Sequence, residues 1–280
     1  MLKQRVVTAL ILSAVFLGAL FYLPVPLFSI FIAVALLVSA WEWANLSGFS
    51  QAWQRVGYMA LLAVATFLTG LYLGVTDWSV EAHVNSEKFR QVLVIGCIWW
   101  AVALLLVQGF PSSAILWRHP LIRGLMGLFV LVPTWAGFIY VRAQDNGALL
   151  VLLIVAVVAC ADIGGYFAGR RWGKRKLAPA VSPGKTWEGF LGGVCFNFLL
   201  SLVVWGLVGG NYFMLLAIIL PASLASVLGD LFESMLKRHR GIKDSSALLP
   251  GHGGVLDRVD GLTAAAPVFA LALLSTGWPG

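Results

Sequence analysis

The chain has 280 residues, of which 60% are hydrophobic and 11% charged, and its formal net charge is +7. A soluble domain carries about 25% charged residues, so this composition excludes an ordinary soluble enzyme. Cys97, Cys160 and Cys195 all fall inside apolar runs, the pattern of small buried hydrophobes rather than of a disulfide framework or thiolate cluster.

Apolar runs of about 20 residues, the length a bilayer core demands of a helix, recur along the chain. In order they cover 6–23, 27–44, 56–75, 91–107, 121–141, 147–168, 189–208, 213–232 and 261–278. The first follows Lys3 and Arg5 like a signal peptide. No small-x-small cleavage site precedes Pro24, however, so an uncleaved helix is expected. Pro24-Val25-Pro26 turns the first two runs into a tight hairpin. The 76–90 segment reads as an external connection. The expectation is an all-α, polytopic integral membrane protein of about nine transmembrane helices. Residues 1–145 supply about five of them. Residues 146–280 form a catalytic region with cytoplasmic loops at 169–188 and 237–260.

Charge orients this array. Nine spans put the N-terminus and the loops after helices two, four, six and eight on one side. That side holds every lysine and arginine of the 19 except Lys88, Arg90 and Arg142. The positive-inside rule makes it the cytoplasm. The basic balance is thus a property of one membrane face, and no nucleic-acid partner is expected.

The 169–188 loop is dense in cations and glycine: Gly169-Arg170-Arg171-Trp172-Gly173-Lys174-Arg175-Lys176, then Ser182-Pro183-Gly184-Lys185-Thr186. It lacks the earlier glycine and preceding strand of an ATPase phosphate loop. It reads instead as another kind of phosphate-contacting loop, or as a polybasic patch drawn to anionic lipid.

Four acids approach the same face from inside apolar runs: Glu42, Asp162, Asp230 and Glu233. Glu42 is read as pairing with a nearby cation; Asp162 stays open between pairing and metal binding. Asp230, Glu233, Ser234 and Lys237 share one helical stripe. The 234–260 stretch then gathers Lys237, Arg238, Arg240, Lys243, Asp244, Asp257, Arg258 and Asp260 around Gly251-His252-Gly253-Gly254. Such charge density beside hydrocarbon is costly unless it binds ions or charged ligands. A hard dication such as Mg2+ takes one or two carboxylates plus substrate phosphates, so Asp230, Asp257 and Asp260 are read as metal ligands. The cations would neutralise phosphate oxygens. Gly-x-Ser-x-Gly, His-Glu-x-x-His and Cys-x-x-Cys are absent from the sequence, which removes hydrolase, zinc-peptidase and thiol-redox readings.

At fixed spacing, Ser234, Lys237, Arg238, Lys243, Asp244, Ser246, Pro250, His252, Gly253, Gly254, Asp257, Arg258 and Asp260 reproduce a family signature. On these residues the chain resembles the phosphatidate cytidylyltransferases, or CDP-diacylglycerol synthases. Asp162, Tyr166, Gly169, Arg170, Gly173, Ser182, Pro183, Lys185, Thr186, Glu188 and Gly189 resemble the family's second block. A CDP-alcohol phosphotransferase fits less well: Asp260-Gly261 leads to no Ala-Arg pair, and Asp257 and Asp260 are three apart, not four. A transporter fits less well too, because the charge gathers at one face and no repeat is visible.

The resemblance implies that CTP and phosphatidic acid give CDP-diacylglycerol and pyrophosphate, with Mg2+, with or without a monovalent cation beside it. Lys237, Arg238, Lys243 and Arg258 would neutralise the triphosphate and the lipid phosphate. Ser234, His252, Gly253 and Gly254 would shape the phosphate pocket, with Asp244 orienting nearby cations. Arg170, Ser182, Lys185 and Thr186 would reach the nucleotide or the lipid head group. The implied setting is a bacterial inner membrane, with the site facing the cytoplasm, a cleft open sideways to membrane lipids, and a homodimer.

Overall fold

Each of the nine apolar runs is a helix, and nearly every end is set by a local breaker or cap. The computed structural model describes residues 2–75, 85–249, 251 and 253–277, with side chains from residue 6 onward. Helix α1 (Leu2–Tyr22) stops before Pro24, and Pro26 lies in the first turn of α2 (Val25–Ser47), where a missing N–H costs nothing. Gly48, at φ +95°, ends α2, and Gly74, at φ +76°, ends α3 (Ala52–Leu73). Asn85 caps α4 (Ser86–Gln108) through Lys88 N. A short α5 (Ala114–Trp117) leads to α6 (Pro120–Arg142), capped by His119. There follow α7 (Gly147–Trp172), α8 (Trp187–Val208), α9 (Tyr212–Arg240) and α10 (Leu256–Thr276). Eight of these helices are long and apolar enough to span a bilayer, and α1 adds a shorter apolar stretch, Val6–Tyr22. The chain is an all-α polytopic membrane protein.

Two departures from the sequence reading bear on function. The 169–188 segment is not a plain loop. Strands β1 (Lys176–Ala178) and β2 (Ser182–Thr186) make an antiparallel hairpin between α7 and α8. The 237–260 stretch is also shorter as a loop than expected. Helix α9 continues through Lys237 and Arg238 to Gly241 (φ +69°), and α10 begins at Leu256, so Asp257 and Asp260 are helical. Charged residues extend helices readily once the helix leaves hydrocarbon, and apolar length alone under-reads such ends.

The centre of the bundle is α6, buried on nearly all sides, as befits a helix that is apolar all round. It packs against α2, α4 and α10. At Gly137 the helices pass so closely that a Cβ would lie 2.9 Å from Ala266 O. Small residues allow this approach in membranes. The α7–α8 pair uses the same device at Gly164, Gly192 and Gly193. These close packings fix the ends of α2, α6, α7, α8, α9 and α10 at one face. Arg123 ties α6 to α2 there, donating from Nε and Nη2 to Ser47 O at 3.0 and 2.7 Å.

Candidate active site

Helix α9 delivers its polar stripe where α10 begins. The two helices meet at Gly229, where a Cβ would collide with the Asp260 carbonyl. That contact brings the backbone of Asp260 against α9 at the residue preceding Asp230. One turn on, Ser234 Oγ donates to Asp230 Oδ1 at 3.1 Å. Asp230 Oδ2 lies 2.7 Å from Lys185 Nζ, which reaches in from β2. Ser234 therefore orients a carboxylate rather than facing outward toward a phosphate.

Lys237 is the cation at the centre of the acids. Its Nζ is 2.8 Å from Asp257 Oδ1 and 3.4 Å from Glu233 Oε1. Glu233 is 2% exposed, and Lys237 is its ion-pair partner. Asp257 also accepts Ser245 N at 3.0 Å, Ser245 Oγ at 3.0 Å and Gly254 N at 2.8 Å. Both of its oxygens are therefore engaged by donors of the protein itself. The Gly254 amide, read from sequence as an anion donor for phosphate, is committed to this carboxylate. Gly253 takes φ +82°, and a Cβ there would lie 2.9 Å from Asp257 Oδ2, so conformation and space both call for glycine.

Glu42 overturns its expected pairing. It is fully buried and accepts four donors: Ser245 Oγ at 3.4 Å, Ser246 Oγ at 2.5 Å, Val255 N at 3.0 Å and Leu256 N at 2.6 Å. Among the described residues these partners are hydroxyls and amides, not a lysine or arginine. The reason is position. The first amides of α10 have no intrahelical acceptor and carry the positive end of the helix dipole, so a carboxylate from α2 satisfies them.

A second cluster lines a cavity of about 350 Å3 between α7, the hairpin and α8, with Asp162, Tyr166, Arg170, Lys185 and Thr186 among apolar residues in its wall. Arg170 Nη1 donates to Tyr166 OH at 2.9 Å. Thr186 is buried and caps α8, accepting Gly189 N at 3.1 Å. Glu188 holds the turn before β1 by accepting Lys174 N at 3.0 Å and Arg175 N at 3.2 Å. Ser182 pairs with Ala178 in the hairpin. Arg238 Nε donates to Val181 O at 3.2 Å, tying α9 to that hairpin. Lys243 and Asp244 are exposed on the loop beside Gly253. Arg258 lines a separate apolar cavity of about 470 Å3 that reaches α1, α2, α6 and α7. His252 lies outside the described residues.

Asp230, Ser234 and the residues of the hairpin cavity are thus joined through Lys185, while Arg258 faces a separate cavity. Among the described residues, no three His, Cys, Asp or Glu side chains form a ready ligand set for a metal. Asp230 and Asp260 stand on the two helices that meet at Gly229, and one or two carboxylates together with substrate phosphates are the donor set a hard dication takes.

The model of the cytidylyltransferase family matches residues 3–276. The chain belongs to the cytidylyltransferase family. Among its relatives, the phosphatidate cytidylyltransferase of Pseudomonas aeruginosa is 44% identical, covering 99% of each chain. That of Haemophilus influenzae is 41% identical over 96% of this chain and 98% of its own. That of Brucella suis is 38% identical over 96% and 92%. The match includes the N-terminal half of this cytidylyltransferase, where sequence reasoning found no motif beyond membrane helices. Reading by motif missed Glu42, Asn45 and Ser245. The one sequence signal was an acid inside an apolar run.

Proposed function

We propose that the chain condenses CTP with phosphatidic acid, giving CDP-diacylglycerol and pyrophosphate for phospholipid synthesis. The observation that carries this reading is the 234–260 block, folded so that Lys185 and Lys237 bind the acids of α9 and α10 into one charged site. A phosphate oxygen of the lipid attacks the α-phosphorus of CTP. The bond to the bridging oxygen breaks, and pyrophosphate leaves with its electron pair. No covalent enzyme intermediate is needed. The obstacle is repulsion between two anions, which preorganised positive charge offsets at a low-dielectric site.

Arg170 and Lys185, in the cavity between α7, the hairpin and α8, fit the triphosphate. Arg258, on the wall of the apolar cavity, fits the lipid phosphate, with acyl chains among Phe16, Phe31, Ile32 and Leu262. Asp230 and Asp260 would hold Mg2+, and Asp257 would keep Lys237 and the loop in register. Bound there, Mg2+ would neutralise phosphate charge and orient the reacting groups. The basic face of the bundle faces the cytoplasm, where CTP is drawn from, and the membrane is a bacterial inner membrane.

The test uses purified protein with labelled CTP and phosphatidic acid. Pyrophosphate release is expected only with both substrates, to stop with EDTA and to return with Mg2+. No release with that pair removes the reading; full activity in metal-free buffer removes the ion alone.

A further inference from the structure

We propose that Glu42, in α2, is a positioning residue for this reaction: it holds the 245–256 loop and the start of α10 in the shape the charged site requires. The proposal rests on the function argued above but on different atoms. Among the described residues the hydrogen-bond partners of Glu42 are hydroxyls and backbone amides. It accepts Ser246 Oγ, Val255 N and Leu256 N at 2.5–3.0 Å. Through Ser245 it is one residue from the centre of the site. The Ser245 hydroxyl stands 3.4 Å from Glu42 Oε2 and 3.0 Å from Asp257 Oδ2, and Asp257 in turn holds Lys237. The chain of contact therefore runs Glu42, Ser245, Asp257, Lys237.

Four further observations show a built clamp. Asn45 Nδ2 donates to Ser245 O at 3.1 Å, and Arg240 Nε donates to Asn45 O at 3.2 Å. Arg55 Nη2 holds the Asn45 side chain at 3.0 Å. A Cβ on Gly254 would fall 2.6 Å from Glu42 Oε1 and closer still to Ser245 Oγ. Gly254 is thus required by the carboxylate of another helix, not only by a ligand. All four partners of Glu42 are donors, which suits a carboxylate because it only accepts. A glutamine of equal size turns an N–H2 toward them and breaks the match.

The decisive variant is Glu42→Gln, read three ways. Turnover number is expected to fall about 10- to 100-fold, with KM for CTP within about threefold, because geometry rather than ground-state binding is lost. Amide hydrogen exchange is expected to rise over 245–256 and not in the remaining helices of the solubilised protein. Glu42→Asp is expected to recover activity above the glutamine variant. Wild-type turnover in Glu42→Gln overturns the proposal. So does lost turnover with unchanged loop exchange, or an aspartate variant no better than glutamine. If Glu42→Gln does not fold, Ser246→Ala decides. It removes the shortest contact and must show the same split in smaller measure; unchanged turnover and exchange overturn the proposal. A wild-type protein that releases no pyrophosphate from CTP and phosphatidic acid defeats the functional reading instead, and the exchange measurement still judges the clamp.

Discussion

Asp257 draws three segments of the candidate site together through one carboxylate. Its side chain is 6% exposed and accepts an ammonium, a hydroxyl and two backbone amides from three separate segments. Replacement by asparagine turns one acceptor into a donor facing donors. Each buried group left unmatched costs about 1–3 kcal/mol. The Asp257→Asn variant is therefore expected to lose at least about 100-fold in turnover while remaining in the membrane fraction, and excess Mg2+ should not restore it. Asp230→Asn is expected to behave differently, raising the Mg2+ concentration needed for half-maximal rate. Labelled-CTP assays across a Mg2+ series compare the two. If Asp257→Asn were rescued by Mg2+, the carboxylate would belong to the ion and not to the loop. The residue types of this site were legible in the sequence because charged groups beside hydrocarbon stand out. Their partners were not. Nothing in the spacing of Asp257 tells that Ser245 and Gly254 fold back onto it, since those contacts depend on the loop's path.

Helices were read nearly to their ends wherever a proline, glycine or charge break coincided with the bilayer boundary, as at Pro24, Gly48 and Gly209. Reading failed where polar sequence keeps helical form, at Lys237–Arg240 and Leu256–Asp260. It failed again where a segment holding a proline and a glycine forms a strand, at Ser182–Thr186. The hairpin is short and charged, so neither hydrophobic period signals it. Its placement depends on α7 and α8 lying close together, and that closeness is testable. A Cβ at Gly164 would sit 2.6 Å from Gly192 O and 2.8 Å from the Phe196 ring. Overpacking of this kind costs about 1–3 kcal/mol or more. Gly164→Val is therefore expected to splay the pair, lower the yield of monodisperse protein on size-exclusion chromatography and weaken CTP use through the displaced Lys185. Gly57→Ala has open space around its Cβ and is expected to leave both unchanged. Equal damage from the two would show that glycine matters here as a helix residue and not as a contact.

Across the whole molecule, one face carries the site and most of the cations, and the exceptions are instructive. Arg142 belongs to the minority on the other face, and the fold explains it: Nε and Nη2 donate to Leu20 O and Leu23 O, both at 3.1 Å, closing the end of α1. It is a capping residue and not a stray charge against the topology. Arg123 and Arg240 perform comparable ties to the end of α2 on the site's face. The cation distribution therefore serves the joining of helix ends as well as the charge bias expected of a membrane protein. Nine spans and a cytoplasmic site would place the C-terminus on the opposite side. A C-terminal alkaline phosphatase fusion in bacteria is expected to be active and a green fluorescent protein fusion dark. Fusions placed after Gly241, on the site's loop, should show the reverse. Fluorescence from the C-terminal fusion would mean that α1 does not cross, and the charge partition would then have to be rebuilt on eight helices.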